Sequence, residues 1–310
     1  MLISGVHSFF KDLWEVVKNT AIHWNESGPW RQSAILAYYS IFSLPALLLI
    51  IIVIAGYFFG EDAVSRELST QISDMIGKET ARTVEIMVAN AAETGSSTLA
   101  MLAGIGFLLF GATTVFYHLQ VSLNRIWGVM PKPKQALLKY MKDRLLSFGL
   151  VLIIGFLLLM SLMVTTLLAI LGDWLTEYWP KITSPLVSIA NRSVSLIVPA
   201  TLFALMFKIL PDAIIRWRSV WIGAIITAVL FAIGQWGLGV YFNKTDPASV
   251  YGAAGAIILI LIWVSYVAMI LLFGAEFTRQ WANKFGHGIK PKGSAVLIGD
   301  VSDIVTDIPE

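Results

Sequence analysis

Residues 251–279 read YGAAGAIILILIWVSYVAMILLFGAEFTR, and between Asp246 and Glu276 the chain carries no formal charge. A helix crossing ~30 Å of hydrocarbon needs about 20 residues at 1.5 Å rise each, so this run is long enough to span a bilayer. Its apolar residues are continuous and do not alternate, which excludes a barrel strand. Lipid offers no partner for backbone amides, and the helix is then the remaining solution. Working outward, the intervals 32–60, 94–124, 145–172 and 219–243 are also free of charge, and each is 25 residues or longer. A sixth span runs from about residue 185 to 210. Ser184-Pro185 supplies a capping hydroxyl and a proline at the first helical position. Pro211 ends it, and Lys208 extends its ammonium toward the headgroups. The expected fold is all-α, a polytopic membrane protein of six transmembrane helices with amphipathic N-terminal and external helices.

The composition agrees. Of 310 residues 57% are hydrophobic and 14% charged, against roughly 25% charged in soluble domains. Mean hydropathy is +0.75. These values exclude a pair of water-soluble domains and a disordered chain. Cysteine is absent, which removes disulfides, thiolate metal sites and cysteine nucleophiles. A net charge of +2 gives no footprint for nucleic acid.

Lysine and arginine placement sets the expected direction. With six spans, sixteen of the 22 basic residues fall on one side, among them Arg31, Arg125, Lys132, Arg144, Arg216 and Lys284. Both termini are therefore expected in the cytoplasm of a bacterium, with the chain passing repeatedly through the inner membrane. Nine of the eleven tryptophans lie near the ends of spans, where an amphipathic ring meets headgroups.

Three segments lie outside the spans. Residues 1–30 carry Phe9, Phe10, Leu13, Trp14 and Val17 on one helical stripe, as expected of a helix lying in the cytoplasmic interface. Within the membrane domain, 31–285, residues 61–96 hold two stripes, Val64/Leu68/Ile72 and Val84/Val88, broken near Gly77. They are expected to form two short helices capping the outer ends of the bundle. Residues 286–310 turn to Gly, Pro, Lys and then acids, the composition of a loose tail.

Signatures of enzyme chemistry are missing. There is no phosphate-binding loop, nucleophile elbow or His-Glu-x-x-His, and His7, His23, His118 and His287 lack metal-ligand spacing. No catalytic residue, metal or cofactor is expected. Polar groups inside the spans say more, because burying them in hydrocarbon costs free energy. Tyr38, Tyr39 and Ser43 of the first span share a level with Thr113, Thr114, Tyr117, His118 and Gln120 of the second, Lys208 of the fourth and Glu276 of the sixth. Each has a structural alternative, such as a Ser or Thr bonded to its own helix or Glu276 paired with Arg279. Together they predict a polar cavity open toward the cytoplasm. Pro45 and Pro199 are possible kinks, and Gly252 and Gly255 sites of close packing or hinging.

Four segments read together, AYYSIFSLPALL (37–48), GATTVFYHLQVSLNRIWGV (111–129), RWRSVWIGAIITAVLF (216–231) and residues 251–279, resemble the YihY/BrkB family of bacterial inner-membrane proteins. The likeness runs from the N-terminal helix to Arg279. It implies six helices and a cytoplasmic-membrane location. The family was once labelled ribonuclease BN, a name in conflict with the chemistry missing from this chain, and its virulence label describes a phenotype, so no catalytic residue is carried over. The expected function is a transporter or lipid-handling permease for an amphiphilic or small organic substrate. A scaffold recruiting partners through 61–96 is the alternative. Membrane lipid is the expected partner, a homo-oligomer is compatible, and nucleic acid is not.

Overall fold

The computed structural model describes residues 2–92, 98–132, 180–245 and 254–298, and single positions at 149, 153, 156, 157, 160, 164 and 172. Among the described residues there are eight helices: α1 (Leu2–Glu26), α2 (Pro29–Phe59), α3 (Glu61–Ile76), α4 (Lys78–Ala92), α5 (Thr98–Ile126), α6 (Pro180–Ile209), α7 (Trp217–Thr245) and α8 (Gly255–Phe285). Four short strands accompany them: β1 (Val129–Pro131), β2 (Ala213–Ile214), β3 (Lys290–Pro291) and β4 (Ala295–Leu297). The all-α expectation thus needs one small amendment.

Four stretches are long and apolar enough to cross a membrane: Pro29–Ile54, Arg192–Ile209, Trp217–Tyr241 and Gly255–Phe285. They match the first, fourth, fifth and sixth expected spans. The second expected span falls on α5. Apart from the single positions just named, the third lies outside the described residues, as does Gly252. The molecule is a multi-pass membrane protein with four such spans among the described residues. The fourth expected span starts earlier than the sequence suggests, at Pro180 instead of Pro185. Either proline suits a first helical turn, where its missing N–H costs nothing.

The bundle has two unlike ends. At the basic end, near Arg31, Arg125, Lys208 and Arg216, α5, α6, α7 and α8 meet around Phe116, Leu123, Ala204, Phe207, Ala224 and Leu272. Membrane helices gain little by hiding apolar groups from lipid, so fit decides how they associate. Here α7 and α8 interlock through two matched motifs, Gly223-x-x-x-Thr227 and Gly274-x-x-x-Thr278. A Cβ on Gly223 would collide with Thr278 Oγ1, and one on Gly274 with Thr227 Oγ1. Each threonine donates to the carbonyl of the glycine four residues before it, at 2.7 Å. The hydroxyls are thereby satisfied within their own helices while the methyl-sized gaps bring the two backbones together.

The expected loose tail is ordered over its first part. β4 pairs antiparallel with β1, Val129 opposite Leu297, and β3 with β2, Ala213 opposite Pro291. These ribbons fasten residues 290–297 beneath the ends of α5 and α6. α1 packs on α8, with Val16 and Thr20 buried, and Lys284 Nζ reaches Glu15 at 2.8 Å and Asp12 at 3.2 Å. The stripe of Phe10, Trp14 and Val17 faces outward instead, exposed. That is the arrangement of a helix held by protein on one side and available to headgroups on the other.

At the opposite end, α3 and α4 are two helices broken at Gly77, as the stripes indicate, but they do not lie over the bundle. Gly60, at φ 87°, reverses the chain, and α3 runs back along α2. Val64 packs with Ile51, Leu47 and Leu68. Val84 and Val88 of α4 join Leu48, Ile260 and Trp263 in one cluster. Leu47 and Leu48 lie about 17 Å along α2 from its end at Phe59, at 1.5 Å per residue. The hairpin is therefore sunk into the bundle, against α2, α7 and α8. Periodicity reported which faces are apolar, but not that the partner face is the side of a spanning helix.

Candidate functional site

The residues expected to share one polar level fall into three groups. Tyr39 and His118 stack at 4.0 Å between centroids with their planes 15° apart, joining α2 to α5. Tyr117 meets His118 edge-on at 5.5 Å, and Tyr38 meets Tyr39 at 5.3 Å. Tyr38 and Tyr117 are exposed. Around this aromatic patch, Ser43 donates to Tyr39 O at 2.9 Å, and Thr113 and Thr114 both donate to Phe110 O. Gln120 is buried one turn from it.

Glu276 belongs to a second group, under α1. It is 1% exposed; Gln280 Nε2 donates to its Oε1 at 2.6 Å, and Arg279 Nη1 lies 3.7 Å from its Oε2. Lys208 forms a third. Its Nζ donates to Ile215 O and lies 5.4 Å from the Trp217 ring centroid, closing the α6–α7 turn. Pro45 lies inside α2 and Pro199 inside α6, while Gly255 begins α8, buried.

The basic end also holds a buried pair that the sequence reading missed. Asn124 Nδ2 donates to Asp212 Oδ2 at 2.8 Å, and Asp212 N donates to Asn124 Oδ1 at 2.8 Å. The Lys292 amide donates to Asp212 O at 2.8 Å, so the same residue ties α5, the α6 terminus and the tail ribbon together. Pro211-Asp212 directly after an apolar helix was the available signal, since Asp favours turns through its side chain. Its partner, 88 residues away, left none.

A cleft of about 360 Å³ opens between α2 and the sunken hairpin. Leu48, Leu49, Ile52 and Val53 of α2 form one wall; Leu68, Ile72, Val84 and Val88 of the hairpin form another. Glu61, Asp62, Ser65, Ser69 and Glu85 supply the polar lining. The volume falls within the range of small-molecule sites, which are apolar with a few polar groups. None of the residues of the expected polar level lines it. The signal for this cleft in the sequence was the charge content of 61–85, within the segment expected to cap the outer ends of the bundle. Glu61 and Asp62 also occupy the first turn of α3, where carboxylates complement the helix dipole. Gly56 permits the close reversal, because a Cβ there would come to 3.0 Å from Glu61 Cα.

The described residues contain no group of three or more His, Cys, Asp or Glu able to hold a metal ion. Residues 24–296 match the family described as virulence factor BrkB. The chain is 28% identical over 263 residues to a UPF0761 membrane protein of Saccharophagus degradans, covering 84% of this chain and 58% of the relative. It is 29% identical over 220 residues to one from Tolumonas auensis, covering 67% and 65%. A third, from Pseudoalteromonas translucida, is 22% identical over 244 residues, covering 78% of each. The chain thus spans about three-fifths of the length of the first two relatives. No solved structure matches. The helices that can cross a bilayer and the family match over most of the chain make this an integral membrane protein of the BrkB family.

Proposed function

We propose that this protein is a permease that moves an amphiphile between the leaflets or across the bilayer, with the α3–α4 hairpin as its moving part. The observation that carries the reading is a charged helical hairpin lodged in the bundle beside a cleft whose opposite wall is an apolar spanning helix. Charged groups at membrane depth are costly and are retained where they border protein or water. A polar hairpin against a lipid-facing helix offers a head group one wall and an acyl chain the other. In this reading the basic end faces the cytoplasm of the inner membrane. Pro45 lies one turn from Leu48 on the cleft wall, and the missing N–H of a proline makes that turn of α2 easier to bend. Tyr39 and His118 lie on the cytoplasmic side of the path, while Glu276 and Lys208 hold the scaffold.

The chain lacks cysteine, so an engineered pair reports without background. Ile51→Cys with Val64→Cys, residues of one packed cluster, crosslinks the hairpin to α2. Purified protein in vesicles of phosphatidylethanolamine and phosphatidylglycerol should move a fluorescent single-chain amphiphile when reduced. On oxidation the rate should fall about tenfold or more, and it should recover with reductant. A verified crosslink with an unchanged rate, or no movement by the native protein, ends this reading.

A further inference from the structure

The charges in the cleft are of one sign. Among the described residues its lining includes Glu61, Asp62 and Glu85 and no lysine, arginine or histidine. Arg66, the cation nearest along α3, turns back on its own helix, its Nε donating to Asp62 O at 3.1 Å. Glu67 is likewise occupied, accepting from Gln71 Nε2 at 3.1 Å. Ser65 and Ser69 contribute hydroxyls between the two acidic edges, and the remaining wall is the aliphatic ladder Leu48, Leu49, Ile52 and Val53. We infer that the cleft is a binding site for a cationic amphiphile, a single-chain alkylammonium whose head lies among Glu61, Asp62 and Glu85 and whose chain lies along α2.

Physical chemistry narrows the ligand to this class. An anionic head, sulfate or phosphate, would meet three carboxylates with no lining cation to offset them. A compact hydrophilic cation would leave the aliphatic wall uncovered. An alkylammonium satisfies both walls together, its head attracted to the carboxylates and its chain covering the aliphatic residues. Exposed carboxylates also make the association dependent on ionic strength. The geometry of α3 keeps the site in register: Glu61 and Ser65, like Asp62 and Ser69, lie one or two turns apart on a face. The inference deepens the permease reading by naming its substrate class and rests on the same cleft.

Binding is measured without flux, on full-length protein in phosphatidylcholine nanodiscs, by isothermal titration calorimetry with empty nanodiscs as the reference. Dodecyltrimethylammonium should bind, dodecyl sulfate should not, and dodecyl maltoside should bind at least tenfold more weakly than the cation. The variant carrying Glu61→Gln, Asp62→Asn and Glu85→Gln together should weaken the cation about 30-fold and leave the maltoside within twofold. Ile52→Trp, which fills the aliphatic wall, should weaken both, and an unchanged melting temperature verifies that each variant is folded. Equal affinity for the cation and the neutral detergent, or native cation affinity in the triple variant, overturns the inference. Cation binding without any crosslink-sensitive transport would overturn the permease reading and leave the site standing. Amphiphile transport that is indifferent to the triple variant, with no cation binding, would do the reverse.

Discussion

The two ends of the bundle solve the same packing problem with opposite materials. At the basic end, glycines and threonines bring α7 and α8 into interlocked contact, and Asn124 with Asp212 staples α5 to the α6 terminus. At the hairpin end, valines and leucines hold α3 and α4 against α2, but carboxylates and serines interrupt the contact and a cleft stays open. One end spends its small residues on closeness. The other turns its hairpin at two glycines, Gly60 at φ 87° and Gly77 at φ 93°. The contrast teaches that close contact at the basic end comes from matched steric notches and buried hydrogen bonds, whereas the cleft at the hairpin end is edged by exposed carboxylates.

The contrast can be broken most severely at the α7–α8 crossing. Gly274→Val drives a branched side chain into Thr227, and overpacking of this kind costs about 1–3 kcal/mol, occasionally more. Thermal melting of purified protein should show the largest loss of any single change considered. Thr227→Ala should recover much of the loss from the milder Gly274→Ala, because it removes the colliding hydroxyl. If Gly274→Val melts as the native protein does, the notch does not hold this end.

Next comes the staple. Asn124→Ala deletes two hydrogen bonds on buried atoms, a loss of about 2 kcal/mol at ~1 kcal/mol each. Melting should drop, and proteolysis of the tail after Gly286 should accelerate, since Lys292 is tied to the same Asp212. Unchanged protection of the tail would show that the ribbons alone hold it.

The smallest effect sharpens the division between the ends. His118→Ala removes an aromatic stack worth about 0.5–1.5 kcal/mol. It should lower melting slightly and leave dodecyltrimethylammonium binding in the cleft unchanged. A large loss of binding would join the aromatic patch to the cleft and erase the distinction.

Much of the frame was legible from charge-free intervals, since hydrocarbon thickness leaves few solutions for runs that long. The stripes of 61–92 and the break at Gly77 were legible for the same reason, as helical periodicity is local. The site was not. Ser43, Thr113 and Thr114 share a level in the sequence, and each hydroxyl donates to a carbonyl within its own helix, a pairing that depth does not report. Glu276 and Lys208, aligned in depth, are held by Gln280 and by Ile215 in separate places. Depth is one coordinate, and rotation about each helix axis is another that no span boundary contains.

The sequence by itself determined that this chain is a multi-pass helical membrane protein with an amphipathic first helix and a polar segment between its first two long apolar runs. Those properties follow from local composition measured against the thickness and polarity of a bilayer. Only the tertiary structure decided that the polar segment folds inward along α2, that Asn124 meets Asp212, and that two Gly-x-x-x-Thr motifs face each other. Each depends on which sides of distant helices turn toward one another, and packing settles that through steric fit and buried hydrogen bonds once the helices are assembled.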